Sequence, residues 1–538
     1  MTDREQIETG PGRLVVRSVP LGGSAMSRAV QSGDVGADWY AARPATAAGW
    51  RAHAEQVRAA SGGADWLTAL APAIAATGRA ADRLARASHD GVVVTTGQQP
   101  GLFGGPTYTW SKAITALAFA DELELAIGMP VAPIFWAASD DADWMEAAVT
   151  YVATARGLHA LSLTGPPTEG RALADVPLGD LQEVRALLDD ACGSAADRSV
   201  TTLISDAYVP HATMGASYVH LLRGLLEPLG IAVLDASHPA LRAAADGFLR
   251  QALVHSASVA QALATRTGAI EAAGFHPQVD VVDALSLVFH SVLTPRDGSI
   301  VRLRERVPVA DAARVAREAE VGTLGANVLL RPVLERALLP TLCYLAGPGE
   351  LAYFAQVAPV AEALNAAVPV VGPRWACEII DHDVLGLIAR RGVTETMLRD
   401  AHAAEQHVAR ALLDDSLHDT LERLRVTIDA QLRALHETIG DDDAPVPSAV
   451  VDGLSRDLMH RLDRFDRRVL AGVKRRETDA MREVSAMRAA VRPMGQSPER
   501  VLNLMPMLAR YGVGVLNRMM EVARPHAHGL VHGESSAP

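Results

Sequence analysis

The stretch from Gly91 to Ser139 constrains this chain more than any other. A β-branched run, GVVVTTG at 91–97, breaks into QQPGLFGGP. TYTWSKAITALAFADELELAIG follows, with apolar residues recurring at three and four, and then a second apolar run, VAPIFWAAS at 131–139. Val- and Ile-rich runs too short for a helix, ended by Gly, Pro, Ser or Asp, read as buried strands. Strand, helix, strand in that order implies a parallel sheet with a crossover helix, because parallel neighbours cannot be joined by a tight turn. IAVLDAS at 231–237 and VPVVGPR at 368–374 read as two more strands of the same kind. VVDALSLVFHSV and SIVRLRER alternate around PRDG, which predicts a small β-hairpin.

At 538 residues the chain exceeds a single core, so two or three domains are expected. The segments about 151–200 and 276–306 read as insertions into a core spanning 1–392. From about 395 the character changes. Leu417, Leu421, Leu424, Ile428, Leu432, Leu435 and Ile439 repeat at helical spacing, GDDDAPVPS interrupts, and Val451, Leu454, Leu458, Leu462, Phe465, Val469 and Val473 repeat the pattern. Two amphipathic helices around a polar reversal predict an antiparallel coiled-coil hairpin over 393–490, with 491–538 returning to the core. Its narrow apolar seam fits either its own partner helix or a homodimer, and we expect the homodimer.

A net charge of -13 argues against nucleic-acid or anionic-membrane partners, while leaving room for a local basic pocket. Cys192, Cys343 and Cys377 are far apart and odd in number, so neither a disulfide framework nor a paired-cysteine metal site is expected. The polar start, MTDREQIETG, lacks a signal-peptide pattern, and no apolar run is long enough to span a bilayer; the expected location is the cytoplasm.

Ligands of open α/β sheets sit at the C-terminal ends of the strands, against the next helix. TTGQQPGLFGGPTYT occupies that place, with Gly97, Gly101, Gly104 and Gly105 free to approach a ligand and Lys112 one turn into the helix. It matches neither dinucleotide nor P-loop fingerprint, and a ligand-free tight turn is the alternative. On the same sheet edge, SDDADWME clusters Ser139, Asp140, Asp141 and Asp143. Such a cluster suits Mg²⁺, a substrate ammonium, a general base, or simply an acidic helix start. Arg331 lies in a helical apolar pattern, where a cation needs a partner. AGPGE reads as a second strand-to-helix turn carrying Gly347 and Glu350. His276 in GFHPQV is as consistent with packing as with catalysis. His526, His528 and His532 are loosely spaced like metal ligands but read as a solvated tail, and no metal site is expected.

These motifs resemble the cysteine ligase family of bacillithiol biosynthesis. The resemblance lies in TGQQPGLFGGPTYTWSKAITALAFADEL, PVAPIFWAASDDADWME, GFHPQV, NVLLRPVLERALLPTLCYLAGPGELAYFAQ and PERVLNLMP, in that order, over essentially the whole chain. It implies a Rossmann-like core with inserted segments and a dimerising coiled-coil arm. The implied reaction joins L-cysteine to the amine of glucosaminyl-malate. By position, Gly97, Gln98, Gln99, Gly101, Gly105, Thr107, Tyr108, Ser139, Asp140, Gln278, Asn327, Arg331, Gly347 and Glu350 would bind substrate or nucleotide. Asp141, Asp143, His276 and Lys112 would carry the chemistry. One departure is clear: where the family reads an EDHD-like stretch and later an Asn–His pair, this chain has Ala142, and then Ala148 and Val149. Amide formation needs an activated carboxylate, so ATP–Mg is a candidate co-substrate although no ATP fingerprint is present.

Overall fold

The computed structural model describes residues 14–533 apart from 37, 62–64, 166, 168, 195, 283, 297–298, 401 and 440–445. The polar N-terminus, the tip of the PRDG turn and most of the GDDDAP reversal therefore lie outside the described residues. The strands that matter here are β1 (Val92–Gln98), β2 (Val131–Ala137), β3 (Ala232–Asp235), β4 (Leu285–Arg296), β5 (Ser299–Pro308), β6 (Leu324–Ala326), β7 (Thr341–Ala346) and β8 (Val371–Pro373). The helices are α1 (Thr107–Ile127), α2 (Pro239–Val254), α3 (Arg331–Leu338), α4 (Pro348–Ala363), α5 (Asp415–Ile439), α6 (Ser448–Arg476) and α7 (Gly514–His532).

The central sheet is parallel, in the order β8–β7–β1–β2–β3. All four expected strands are in it. The fifth, β7, is TLCYLA, the strand ahead of AGPGE. Side chains alternate across the sheet: Val92, Val94, Val131 and Phe135 join one apolar core, while Val93, Ile134 and Trp136 join another on the opposite face. Burial on both faces is why these strands read as unbroken apolar runs. The crossover helix α1 is buried on most of its surface, from Thr107 to Ile127, and ends at Gly128 in the left-handed conformation. The predicted hairpin is β4–β5, antiparallel with Ser291 opposite Arg304, and β6 adds a third strand against β4.

The chain divides into two compact units: residues up to Val152, His159–Ile379 and from Glu499 onward in one, Ala153–Leu158 and Ile380–Pro498 in the other. The second unit holds the coiled-coil hairpin. Arg425 pairs with Asp463 and His436 with Asp452 at 3.3 Å, so α5 and α6 run in opposite directions. Leu432, Val451 and Val473 are buried between elements of this unit, but other seam positions stay open, with Leu424 44% and Phe465 51% exposed.

Candidate active site

Chain order fixes where a ligand can enter the sheet. From β1 the chain proceeds to β2 and β3 on one side, then returns to place β7 and β8 on the other. The strand order therefore reverses between β1 and β7, the position at which open α/β sheets part to form a crevice. A cavity of about 870 Å³ opens there, at the C-terminal ends of the strands. Seven basic and five acidic side chains line it, so a chain of net charge -13 carries a locally cationic pocket.

Lys112 ties the two sides of the reversal together. The residue is 3% exposed, and its ammonium donates to the Gly97 carbonyl and to Gln98 Oε1, both at 2.8 Å, and pairs with Glu350 Oε2 at 2.5 Å. Burial pulls the ammonium below lysine's ordinary value and Glu350 pushes it back. Burial would likewise raise the Glu350 carboxyl, but Lys112 and Arg331 hold it below the ordinary carboxylate range. Glu350 also accepts from the Tyr344 hydroxyl and from the Gly347 N–H, both at 2.6 Å. The second of these closes the N-terminus of α4 with its own third residue. Arg331 donates to the Tyr344 and Tyr353 hydroxyls at 3.2 and 3.3 Å and lies 3.6 Å from Glu335. Burial drives the Glu335 carboxyl up to about 7, against the pull of Arg331.

The paired glutamines carry this network to the acidic side. Gln98 Nε2 donates to Gln99 Oε1 at 2.6 Å, and Gln99 Nε2 donates to Glu146 Oε2 at 2.7 Å. Each amide accepts on one side and donates on the other, so the pair relays the network. The acidic wall itself starts where β2 ends. Asp141 Oδ1 accepts from the N–H groups of Ala142 and Asp143, at 2.5 and 3.0 Å, and Asp143 caps the short helix at Trp144. Burial and the neighbouring charge of Asp140 raise the Asp141 carboxyl above its ordinary value. Arg304 of β5 donates to the Asp140 carbonyl, lies 3.4 Å from its carboxylate, and stacks 4.5 Å over Phe289.

The glycine-rich half of the first loop departs from expectation. It does not aim its amides at the cavity. Gly104 N–H points to Gly101 O and the Tyr208 hydroxyl, Gly105 N–H to Leu102 O, and Thr107 N–H to Leu502 O. Asn503 Nδ2 lies within 3.2 Å of the carbonyls of Leu102, Phe103 and Gly105. Gly104 and Gly105 are needed for their positive φ, and Gly101 for its approach to Gly105, whose Cα would stand 2.7 Å from an added Cβ. Only the two ends of the motif face the cavity, Gly97–Gln99 and Tyr108 with Lys112.

Of the predicted residues, Gly97, Gln98, Gln99, Tyr108, Lys112, Asp140, Asp141, Asp143, Gln278, Asn327, Arg331, Gly347 and Glu350 line one cavity. Gly101, Gly105 and Thr107 lie behind it in the folded loop. Ser139 is buried and bonds to Asp235, joining the ends of β2 and β3. His276 is exposed and does not line the cavity. Its neighbour Gln278 does, with Val279 held on both backbone groups by Gln356 at 3.1 and 2.8 Å. His526 turns away from His528 and His532 to the Pro373 carbonyl at 2.9 Å, so the tail histidines are not one set.

Two guanidinium nitrogens of the lining, Arg331 Nη1 and Arg374 Nε, are buried with no hydrogen-bond partner among the described residues, although Arg331 Nη1 faces Glu335 Oε2 at 3.6 Å. Arg374 is otherwise occupied by a bidentate pair with Glu499 at 2.7 and 3.0 Å.

Comparison with known proteins separates this cleft from the many others built at strand-order reversals. Residues 31–375 match the family described as bacillithiol biosynthesis BshC, N-terminal Rossmann-like domain, and residues 379–531 match its C-terminal coiled-coil domain. The chain belongs to the BshC family. A relative from Solibacter usitatus is 29% identical over 452 residues, covering 81% of this chain and 84% of its own length. Another from Heliobacterium modesticaldum is 29% identical over 483 residues and 85% of each chain. A third, from Desulforamulus reducens, is 24% identical over 80% of this chain and 81% of its own. All three bear the name "Putative cysteine ligase BshC".

The sequence reading of this BshC-family site missed Arg304, Arg306, Arg374, Glu499 and Asn503. The last two sit in PERVLNLMP, one of the motifs that carry the family resemblance, but nothing local shows that a C-terminal Glu and Asn reach the sheet. Arg302, Arg304 and Arg306 recur at every second position of β5, as solvent-facing arginines of any hairpin do.

Proposed function

We propose that this protein is a ligase that joins L-cysteine to the amine of glucosaminyl-malate through an amide bond, completing bacillithiol. The observation that carries this reading is the cavity at the β1–β7 reversal. It gathers thirteen of the eighteen site residues expected from the sequence, and the relatives carry the ligase name. The pocket's chemistry agrees with two polar substrates. The arginines of the lining, Arg331 and Arg374 among them, suit the malyl carboxylates. Asp141, raised above the ordinary carboxylate range, is placed to hold an amine and take its proton. Lys112 does not serve as the charge-offsetting group, because all three of its donors are taken; it sets the positions of Gly97, Gln98 and Glu350.

A cysteine carboxylate must be activated before an amine can displace its oxygen, and ATP–Mg would supply that as an acyl phosphate or adenylate. The amide of Gly347 is closed by Glu350 and that of Thr107 by Leu502, so phosphate oxygens would meet guanidinium groups rather than these two amides. The test is turnover with cysteine and glucosaminyl-malate, with and without ATP–Mg. Amide product is expected only with nucleotide; equal product without it refutes the activation step, and no product in either refutes the substrate assignment.

One feature favours a second reading, a ligase for a different amine or amino acid. Position 142 lines the cavity as alanine where the family carries a histidine. Thermal-shift screening of amino acids and sugar-malates separates the two. The open seam of α5 and α6 supports a homodimer through the coiled coil, which sedimentation of the full chain checks against a Leu424→Glu, Phe465→Glu variant.

A further inference from the structure

Far from the cavity, at the other end of α1, three ligand-type side chains converge. His528 and His532 lie one turn apart on α7, so their imidazoles share a face, with ring centroids 4.3 Å apart. His528 Nδ1 and His532 Nε2 both approach a single oxygen, Glu122 Oε1 on α1, at 2.9 and 3.1 Å. All three ligand atoms lie within 4.8 Å of one another. We propose that Glu122, His528 and His532 form a binding site for a divalent ion of the zinc class, which staples α7 to α1.

The chemistry of the trio points this way. The trio in its neutral-histidine state offers two ring lone pairs and one carboxylate. Two nitrogens and one carboxylate oxygen, with a fourth position for water, is a recurrent zinc ligand set, and histidines at i and i+4 on one helix are a recurrent way to supply it. Tetrahedral bonds of about 2.0–2.1 Å place ligand atoms about 3.3 Å apart, a few tenths of an ångström beyond the two present distances to Glu122 Oε1. His528 is 51% exposed and His532 32%, which leaves the fourth position open to solvent.

The elements carrying the ligands are fixed. Ala523, Ala527, Leu530 and Val531 of α7 share one buried core with Phe119, Ala120 and Leu123 of α1. The last turn of α7 ends at Gly533 with positive φ, where an added Cβ would meet the Ala45 carbonyl at 2.7 Å. The turn bearing His532 is thus set by packing.

The experiment titrates Zn²⁺ and Co²⁺ into the metal-free full chain. One equivalent of Zn²⁺ is expected to bind and raise Tm, and Co²⁺ is expected to show the visible absorption of a four-coordinate site with nitrogen ligands. Glu122→Gln and His528→Ala, both at partly exposed positions, should weaken Zn²⁺ binding at least about tenfold, the scale seen even for loss of outer-shell partners. Wild-type protein that gives neither stoichiometric binding nor the Co²⁺ spectrum overturns the proposal. So does binding that survives both substitutions unchanged. The wild-type Co²⁺ spectrum decides the matter should either variant fail to fold.

Discussion

The two walls of the cavity are built on opposite principles. On the β1–β7 side, Lys112 and Tyr344 are buried, Glu350 and Arg331 nearly so, and the four are bonded mainly to one another. On the β2 side, Asp140, Asp141 and Asp143 are partly or fully exposed, held by backbone N–H groups and by one arginine. A buried charge network stays in place only if its partners are nearly all present, so it serves as a frame. A carboxylate that keeps solvent contact and an unsettled charge can bind and release a proton. On the proposed function, the difference separates residues that shape the cleft from residues that would act in it, although both line it.

Substitutions can break that contrast. The largest effect is expected from Lys112→Met, which leaves Glu350 buried without its closest cation. Stability should fall by about 3–5 kcal/mol in urea denaturation, and Glu350→Gln added to it should restore much of the loss. A loss under about 1 kcal/mol would mean the frame does not depend on this pair. Asp141→Asn should do the reverse. Its amide oxygen still accepts from Ala142 and Asp143, so stability should stay within about 0.5 kcal/mol while turnover drops roughly 10²–10⁴-fold. A parallel loss of both would put Asp141 in the frame instead.

Smaller effects sharpen the contrast further. Asn503→Ala removes the donor facing three loop carbonyls and should cost about 1–3 kcal/mol, read by thermal unfolding. Asp140→Asn tests the charge coupling in the acidic wall. Asp140 raises the Asp141 carboxyl, so removing its charge lets Asp141 ionise more readily. The acid limb of the pH–rate profile should then move to lower pH, by a fraction of a unit; a shift to higher pH would exclude Asp141 as the group titrating there.

Much of this was legible in the chain itself. Strands buried on both faces must be apolar throughout, so GVVVTTG and VAPIFWAAS announce a parallel sheet. Placing these two loops and the AGPGE turn at the C-terminal strand ends then brings Gln98, Asp141 and Glu350 to one edge. The glycine-rich loop was legible as special but misleading in detail. Its amides look available from the residues alone, and they are consumed by Leu502 and neighbouring loop carbonyls, while Asn503 meets the loop's carbonyls from 400 residues away. Arg374 and Glu499, 125 residues apart, likewise have no local pattern that announces a pair.

The sequence by itself determined the parallel α/β core, the coiled-coil hairpin and the set of polar motifs at the strand ends, because burial periodicity and turn chemistry are local properties. Only the tertiary structure decided which of those polar groups are already spent on one another. Lys112 was a candidate for chemistry, and its three donors meet Gly97, Gln98 and Glu350; His276 was a candidate and faces solvent; His528 and His532, read as a solvated tail, meet Glu122. Whether a polar side chain has a partner depends on the residues the fold brings beside it, which are distant in the chain and leave no periodic trace in it.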